Sequence, residues 1–372
     1  MPNAIRFLSS IAAAAALAVP GLLAAQPTSQ SMSIGGAQLA APRPDIVRAD
    51  APPAGSHLPD PSLANTYNFT TPDGINFNGV GNFIIPDPDL AGYIFSCTAS
   101  RIGLRSLLIA AHCVTNDNTG ALLSTSGSAF ARFLGPGSVE GSPNWYYTPD
   151  ASQIVVNPLW DGFNNPATYL GTDVAVIDFA SDLPDWIPTY ELYTGIPLGA
   201  LATNVGFGTY GGGTGATGFD YGRRWGTNEV DYIAGDHAYD DYLDIYTDFD
   251  DPAGKFDTLC VLGIVCDTGL LTEAATSEGD SGGPLFVDGK IAGVTSFSTY
   301  VCAPASPPGT CVPFVADPAR PFDSFGSLHA FAPVFANADF IETSITPEPA
   351  SIMFTATGLI GLAGFARRRR KA

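Results

Sequence analysis

The chain has 372 residues, 45% of them apolar and 11% aromatic, which is enough to build the core of a globular unit of roughly 200 to 300 residues. Its 36 acidic and 16 basic residues give a formal net charge of −20, which opposes binding to nucleic acid or anionic membranes and suits solubility outside the cell or attraction to basic substrates. Because Gly (41) and Pro (31) are abundant and only 14% of residues are charged, an all-β fold is favoured over one with long amphipathic helices.

The N-terminal residues predict export. Arg6 precedes an apolar run over residues 11–25 that ends in small residues, the pattern of a secretory signal peptide (residues 1–25) cut near Ala25. A membrane anchor is the alternative, but the run is short for a transmembrane helix. Residues 26–64 are rich in Pro, Ala and Ser and lack periodicity, so we expect a propeptide or linker there.

Short apolar runs broken by turn residues fill residues 65–345, the predicted folded domain. They have the length of β-strands, as in a sandwich or barrel. The clearest runs lie at 83–85, 107–109, 153–156, 174–177 and 290–294.

Six cysteines, an even number in a chain predicted to be exported, indicate three disulfides. Fifteen pairings are possible in principle. Proximity along the chain favours three of them: Cys97 with Cys113, Cys260 with Cys266, and Cys302 with Cys311. Zinc binding is the alternative, but the sequence has no C-x-x-C and no Cys/His cluster other than His112 beside Cys113, so we predict no metal.

Acidic and aromatic residues alternate between residues 231 and 257, as in DDYLD at 240–244 and DFDD at 248–251. We expect a strand with a solvated acidic edge. A calcium site is the alternative, but it would need oxygen ligands that converge on one loop, and no EF-hand spacing is present.

Ser281 lies in the glycine-dense sequence GDSGGP at 279–284, a turn in which a nucleophile can stand clear of other side chains while backbone N–H groups point outward. A serine hydroxyl is a poor nucleophile near neutral pH, so it needs an adjacent base and a third group that orients the base. Histidine is the usual base because its pKa lies near working pH. Of the four histidines, His112 ends an apolar run beside two small residues, in LIAAHC at 108–113.

Three segments together resemble the trypsin/chymotrypsin family of serine proteases. Residues 97–113 resemble the region of the catalytic histidine, including a cysteine sixteen residues before the one that follows the histidine. Residues 172–177 (TDVAVI) resemble the segment in which an aspartate opens an apolar strand, and 279–284 matches the nucleophile motif in full. The resemblance spans about residues 75–335 and implies two six-stranded antiparallel β-barrels with the site at their interface.

The resemblance also implies a role for each residue. Ser281 attacks the substrate carbonyl, His112 takes and returns the proton, and Asp173 holds the correct tautomer of the ring. The backbone N–H groups of Gly279 and Ser281 form the oxyanion hole. The implied activity is that of a serine endopeptidase, which acts on proteins or peptides through an acyl-enzyme and needs no cofactor.

Specificity is implied by residues near the nucleophile. Ala275, six residues before Ser281, falls at the base of the primary specificity pocket, where trypsin-type members need an acid. Without that counter-charge we expect a small or apolar P1 residue. Ser296, Phe297 and Ser298 resemble the strand that pairs with the substrate backbone, and Ser298 replaces a usual glycine, which would narrow the pocket.

Two departures from the family pattern concern the pocket and activation. Ser277 stands where many members have a cysteine that bridges to a later pocket loop, so the resemblance does not imply a rigid pocket. No basic residue followed by Ile-Val-Gly-Gly precedes Cys97, so the sequence names no N-terminal amine as a partner for Asp280. Activation by propeptide removal is therefore a hypothesis.

Two other functions stay open. The sequence GDSGG also fits the G-x-S-x-G elbow of α/β-hydrolases, which would make the chain an esterase, but that elbow leads into a helix and its histidine follows the serine. Here residues 284–287 and 290–297 are typical of a hairpin, and only His329 follows Ser281. A second alternative is an inactive, protease-like binding module, although such members usually lack a triad residue.

The C-terminal residues predict a sorting signal. TPEP at 346–349 precedes an uncharged stretch over 350–366 and a basic cluster at 367–371, the composition of one short membrane span with its basic end in the cytoplasm. Residues 346–372 resemble the PEP-CTERM signal of Gram-negative bacteria. That resemblance implies transient anchoring in the inner membrane, cutting by an exosortase-type enzyme, and a final place in the cell envelope or outside the cell.

Overall fold

Nearly all regular structure in the described residues is β-strand. The computed structural model describes residues 33–34, 37–38, 45–48, 62–89, 92–163, 171–236, 241–267, 269–304, 311–315 and 322–345. Three short strands come first: β1 (Ser33–Ile34), β2 (Ala37–Gln38) and β3 (Asp45–Arg48). The α-helices in this part of the chain are α1 (Thr258–Val261) and α2 (Ala338–Ser344).

The first large sheet contains seven antiparallel strands. They are β4 (Val80–Pro86), β5 (Ile94–Arg101), β6 (Ser106–Ile109), β7 (Phe130–Leu134), β8 (Trp145–Tyr147), β9 (Ala151–Val156) and β10 (Ala175–Phe179). Their order in the sheet is β8-β7-β4-β5-β6-β10-β9. All four residues of β6 and all five of β10 are buried, as expected for apolar strands in the middle of a sheet.

The second large sheet also has seven antiparallel strands. They are β11 (Leu201–Gly206), β14 (Arg224–Glu229), β15 (Tyr232–Asp236), β16 (Asp241–Asp248), β18 (Pro284–Val287), β19 (Lys290–Thr299) and β20 (Leu328–Pro333). Their order is β14-β11-β18-β19-β20-β16-β15. Three small pairs complete the strands of the described residues: β1 with β2, β12 (Tyr210–Gly212) with β13 (Gly215–Gly218), and β17 (Ala274–Ser277) with β3.

One apolar cluster joins the two large sheets. Phe286 on β18 stacks against Phe77 at a centroid distance of 6.3 Å and meets the edge of Tyr190 at 4.8 Å. Phe133 of the first sheet belongs to the same buried cluster. Aromatic pairs of this geometry add to the free energy gained from burial. The sheets therefore hold residues of both halves in fixed positions at their junction.

The prediction of an all-β fold with two antiparallel units is confirmed, but each unit has seven strands, not the six expected. All five apolar runs named from the sequence lie in strands or begin one residue before a strand. Part of the predicted propeptide or linker (26–64) already contacts the domain, since β3 pairs with β17 and both Ser62 and Ala64 are buried. The predicted signal peptide and the predicted C-terminal signal lie outside the described residues, and no helix among the described ones is long and apolar enough to cross a membrane.

The expected solvated acidic edge between residues 231 and 257 is wrong. Asp248 is 2% exposed on β16, and Asp244 on the same strand is 1% exposed. The strand lies between β15 and β20, and Ile245 and Tyr246, which point to opposite faces of the sheet, are buried as well. Both faces of β16 are covered. The alternation of acidic and aromatic residues therefore did not mark one solvent-exposed face and one buried face.

Candidate active site

His112 lies directly after a buried strand of the first sheet. Strand β6 ends at Ile109, and a 3₁₀ helix over Ala111–Cys113 carries the histidine. Ala110 and Ala111 are fully buried, so their small side chains let this turn approach its neighbours closely. The Cys97–Cys113 disulfide ties the turn to β5.

Asp173 holds His112 through two hydrogen bonds. The backbone N–H of His112 donates to Asp173 Oδ1 at 2.8 Å, and Nδ1 of the ring lies 2.6 Å from Oδ2. Ser296 Oγ on β19 donates to the same Oδ2 at 2.6 Å. The carboxylate is 1% exposed, so it is fixed by its donors and screened from water. With Nδ1–H bonded in this way, Nε2 is the nitrogen left to act as a base.

The charge around His112 favours its protonated form. Burial lowers the pKa of the imidazole, but the attraction and hydrogen bond of Asp173, together with the more weakly acting Asp117, outweigh burial and leave the pKa raised. Burial in turn raises the pKa of Asp117, against the opposing effect of His112. The ring of Phe163 lies 5.4 Å from the imidazole and covers it from another side. A raised pKa is useful to a group that must accept a proton.

Ser281 occupies the turn between β17 and β18, and glycines determine the shape of that turn. Gly279 and Gly282 have φ of 101° and 81°, a region that favours glycine. A Cβ on Gly282 would lie 2.4 Å from the carbonyl oxygen of Thr98. Thr98 also bonds the turn directly, since its N–H donates to Ser281 O at 2.8 Å and its Oγ1 donates to Gly279 O at 2.9 Å. A strand of the first sheet thus positions the turn of the second sheet that carries Ser281, the predicted nucleophile.

Three polar groups of the turn have no partner among the described residues. Ser281 is 2% exposed and its Oγ makes no hydrogen bond. The backbone N–H groups of Gly279 and Ser281 likewise donate to nothing in the described chain. Such buried groups are rare unless they serve a ligand or a reaction. His112 Nε2 is not bonded to Ser281 Oγ and lies 4.0 Å from Cys113 Sγ.

Asp280 is the buried acid beside the nucleophile. Its Oδ2 accepts from the N–H of Ser277 at 2.7 Å, and its Oδ1 accepts from the N–H of Gly208 at 2.8 Å. The carboxylate packs closely against Gly206 of β11, where an added Cβ would be 1.8 Å from Oδ1. Backbone N–H groups therefore hold Asp280 where the sequence named no amine partner.

A cavity of about 660 Å³ opens between the two sheets at this site. Its lining includes His112, Gly279, Ser281, both cysteines of the Cys97–Cys113 disulfide, and the acids Asp89, Asp117 and Glu278. Gly279 and Ser281, which carry the partnerless hydroxyl and the two N–H groups, thus line one space large enough for several residues of a peptide. The acids give that space a negative charge.

None of the residues predicted to bind substrate lines this cavity. Ala275 is fully buried and packs against Phe249. Phe297 is 1% exposed, with its ring 6.1 Å from that of Phe163, and Ser298 is fully buried. Ser277, at the position of the missing bridging cysteine, instead hydrogen-bonds Thr209 through its hydroxyl.

The three disulfides are Cys97–Cys113, Cys260–Cys266 and Cys302–Cys311, the pairs that proximity favoured. His329, which follows Ser281 in the chain, is fully buried between the Thr276 backbone N–H and the Ser327 hydroxyl. Burial lowers its pKa to about 3, so it remains neutral and takes no part in the site.

The comparison with known families agrees with this geometry. Residues 90–317, more than half of the 372 residues, match the family model described as Trypsin. The chain belongs to the trypsin family. A curated relative, serine protease SP24D of Anopheles gambiae, is 27% identical over 224 residues, which cover 59% of this chain and 69% of the relative.

Solved structures similar to this trypsin-family chain include two proteases. Neuropsin, a serine protease expressed in the limbic system of mouse brain, is 17% identical with a TM-score of 0.43, and the match covers 71% of this chain and 94% of neuropsin. HL collagenase is 18% identical with a TM-score of 0.45, and the match covers 77% of this chain and 99% of the collagenase.

Sequence reasoning missed three contributors to the site in this trypsin-family chain. Ser296 was assigned to substrate binding, yet its hydroxyl bonds Asp173. Thr98 and Asp117 received no role. Asp117 follows His112 by five residues, so its sequence position could have suggested it, whereas the contact of Thr98 with Gly279 spans 181 residues and leaves no local signal.

Proposed function

We propose that this chain is a serine endopeptidase that hydrolyses peptide bonds through Ser281, His112 and Asp173. The observation that carries the proposal is the buried Asp173–His112 pair beside a cavity that Ser281 also lines. The family to which the chain belongs acts on proteins or peptides, which makes such a substrate the natural occupant of that cavity.

Each group has one task in the proposed reaction. Ser281 Oγ attacks the substrate carbonyl carbon while His112 Nε2 takes its proton, and the proton then passes to the leaving amine as the C–N bond breaks. Water repeats the sequence on the acyl-enzyme and frees the acid product. Asp173 stabilises the imidazolium that forms twice in each cycle. Ser281 Oγ has to rotate toward Nε2 first, an adjustment common when substrate binds.

The oxyanion of the tetrahedral intermediate would be held by the N–H groups of Gly279 and Ser281. Both belong to residues that line the cavity, and neither donates elsewhere in the described chain. Donors fixed before the reaction stabilise negative charge without reorganisation, and removal of one such donor typically slows acyl transfer about 10²- to 10³-fold.

A small or apolar P1 residue is the proposed preference. The family resemblance places Ala275 at the base of the pocket, although this residue is buried and does not line the cavity described above. It offers no negative charge, and its described apolar neighbours include Phe249. A buried Lys or Arg side chain would be left without a counter-charge there. Digestion of a peptide library, read by mass spectrometry, would show cleavage after residues such as Ala, Val or Leu; dominant cleavage after Lys or Arg would overturn this preference.

A catalytically inactive binding module is the second candidate, because Ser281 Oγ and His112 Nε2 are not hydrogen bonded. A fluorophosphonate probe, which reacts only with an activated serine, distinguishes the two. The endopeptidase proposal requires one adduct on Ser281 that disappears in Ser281→Ala and falls sharply in His112→Ala. Folded wild-type protein that takes no label would favour the binding module. An α/β-hydrolase type of esterase is not proposed, since a strand, Pro284–Val287, follows the serine in place of a helix.

Export completes the proposal. Three disulfides are typical of proteins that fold in an oxidising compartment. We propose that residues 1–25 direct export and that residues 346–372 anchor the chain in the membrane until an exosortase-type enzyme cuts it. Terminal peptides of the protein isolated from its natural host would begin near residue 26 and end near 347; uncut termini would contradict this route.

A further inference from the structure

Buried carboxylates of the second sheet meet in a cluster well separated along the chain from the proposed triad. Asp231 precedes β15, Asp248 ends β16, and the other members lie in the loop between β16 and β17. The cluster consists of Asp231, Asp248, Asp250, Asp257 and Asp267, with Glu273 beside them. Asp248 and Asp250 are each 2% exposed, and Asp231 is 7% exposed.

The carboxylate oxygens are close enough to share an ion. One oxygen from each of Asp231, Asp248 and Asp267 lies within 4.8 Å of the other two, and the same holds for Asp248, Asp250 and Asp257. Ca²⁺ binds oxygen at about 2.3 to 2.6 Å, so two oxygens bound to one ion are separated by at most roughly 5 Å. Asp248 belongs to both sets and lies at the centre of the cluster.

Among the described residues, no positive side chain pairs with these carboxylates. In the described part of the chain, none of the cluster members forms an ion pair with Lys, Arg or His. Burial, reinforced by the surrounding carboxylates, raises the pKa of Asp231 and Asp250, and raises that of Glu273 to about 8. Buried carboxylates without a partner are costly, which is why proteins usually pair them or use them to bind a metal.

Two oxygens of the cluster are left without any hydrogen bond. Oδ1 of Asp250 and Oδ1 of Asp267 are buried and have no partner among the described residues. Others accept backbone N–H groups: Asp231 accepts from Asp248 at 3.1 Å, Asp248 from Leu259 at 3.0 Å, and Asp257 from Cys260 at 2.7 Å. Most of the lone pairs therefore remain available, and Asp250, which is almost completely buried, has no solvent to satisfy it.

We propose that these five aspartates bind a calcium ion centred on Asp248. The donors are all oxygens and, apart from Asp248 at the end of β16, lie outside the strands, which suits Ca²⁺ with its six to eight flexible oxygen ligands better than Mg²⁺ with its strict octahedron. Zn²⁺ prefers nitrogen and sulfur, and the nearby Cys260 and Cys266 are joined in a disulfide. The site could not be predicted from the sequence, because its ligands are spread over residues 231–267 and do not lie in one loop.

The proposed ion would fasten the loop between β16 and β17 to the second sheet. The Cys260–Cys266 disulfide already closes the stretch between Asp257 and Asp267. Glu273 accepts the N–H of Asp250 and directly precedes β17, the strand that leads into the nucleophile turn. Calcium would therefore stabilise the folded chain and help to hold β17, which leads into the turn that carries Ser281.

The test measures calcium binding to the purified full-length protein after treatment with EDTA and desalting. Isothermal titration with CaCl₂ gives the affinity, and a thermal melt with and without 5 mM CaCl₂ (about fivefold above the weakest affinity of extracellular sites) gives the stabilisation. We expect a Kd at or below about 10⁻³ M and a rise of several degrees in Tm. Wild-type protein that shows neither heat of binding nor a shift in Tm would overturn the proposal.

Two isosteric variants show whether calcium affinity depends on the cluster itself or on any buried carboxylate. Asp250→Asn should weaken calcium binding by at least about tenfold, whereas Asp244→Asn should retain the wild-type affinity. Asp244 is the matched control, because it is buried on β16 and has an unpaired Oδ2 but does not belong to the cluster. Equal affinity in the two variants would contradict the proposal.

A further ligand variant tests the proposal if Asp250→Asn does not fold. Asp267 is only half-buried, so Asp267→Asn should fold and should also lose affinity. Ser281→Ala should bind calcium like the wild type, because the proposed ion does not touch the nucleophile. The calcium result is thus independent of whether the chain proves to be a peptidase.

Discussion

His112 contacts Asp173 through both its backbone and its ring, with the N–H 2.8 Å from Oδ1 and Nδ1 2.6 Å from Oδ2. Two bonds to one carboxylate determine the position of the residue and also the rotation and tautomer of the imidazole. The carboxylate itself is fixed by Ser296. The base is therefore oriented before any substrate arrives.

Replacing Asp173 by Asn should remove most of the activity without unfolding the protein. The amide can donate a hydrogen to Nδ1, which would favour the wrong tautomer and leave the imidazolium without its counter-charge. In the best-studied triad of this type the same change lowers kcat about 10⁴-fold, and we expect a loss of that order in kcat with a small change in KM. Steady-state kinetics and circular dichroism check both parts.

Asp178→Asn is the control for that variant. Asp178 is buried on β10, a few residues after Asp173, and accepts a hydrogen bond from Ser106. It should retain kcat within about threefold, because it does not touch His112. Equal losses in the two variants would mean that the effect of Asp173→Asn comes from destabilised folding.

The pH dependence of kcat/KM should respond to Asp117. His112 acts as a base only when neutral, so activity falls as the pH drops through the raised pKa of its ring. Asp117 is one of the charges that raise this pKa, and Asp117→Asn should therefore shift the acidic limb of the profile to lower pH. Asp182→Asn removes an exposed acid that pairs with Arg105, and it should leave the limb in place. A limb unmoved by Asp117→Asn would show that this carboxylate does not act on the ring.

Gly206→Ala should disrupt the turn that carries Ser281 by displacing Asp280. The new Cβ would lie 1.8 Å from Asp280 Oδ1, so the carboxylate must move away from the N–H groups of Ser277 and Gly208. Overpacking of this kind costs about 1 to 3 kcal/mol of unfolding free energy. We expect activity to fall further than stability alone explains, since Asp280 adjoins Ser281. Gly127→Ala, where a Cβ meets no atom within 4 Å, is the control and should behave like the wild type in urea denaturation and kinetics.

The Cys97–Cys113 disulfide should contribute to both stability and activity. It closes a loop of 16 residues, and the chain-entropy argument gives about 3 kcal/mol for a loop of that size. The double variant Cys97→Ser with Cys113→Ser should lose about that much unfolding free energy in urea. Because the same turn carries His112, we also expect a lower kcat; an unchanged kcat at full stability would show that the 3₁₀ helix positions the histidine unaided.

The sequence predicted those parts of the molecule that depend on local patterns. The strands at 107–109 and 174–177 and the turn around Ser281 could be found because each is a short motif with its own periodicity or glycine pattern. Asp173 could be named because it opens an apolar strand. Strand count was less accessible, since β8 has only three residues and no distinct apolar run.

The features that could not be predicted depend on contacts between residues far apart in the sequence. Alternation along β16 indicates a strand but does not say that both of its faces are covered, so the buried position of Asp248 was missed. The bonds from Thr98 to Gly279 and from Ser296 to Asp173 join residues 181 and 123 positions apart. Contacts at such separations follow from the packing of the two sheets and leave no trace in local spacing.

The central claim is that Ser281 cleaves peptide bonds with the help of His112. The most direct measurement is hydrolysis of casein or a peptide library by wild-type protein, Ser281→Ala and His112→Ala, with cleavage sites read by mass spectrometry. We expect specific cleavage by the wild type and a loss of at least about 10³-fold in both variants. Cleavage by Ser281→Ala at the wild-type rate, or its absence in folded wild-type protein, would contradict the proposed activity.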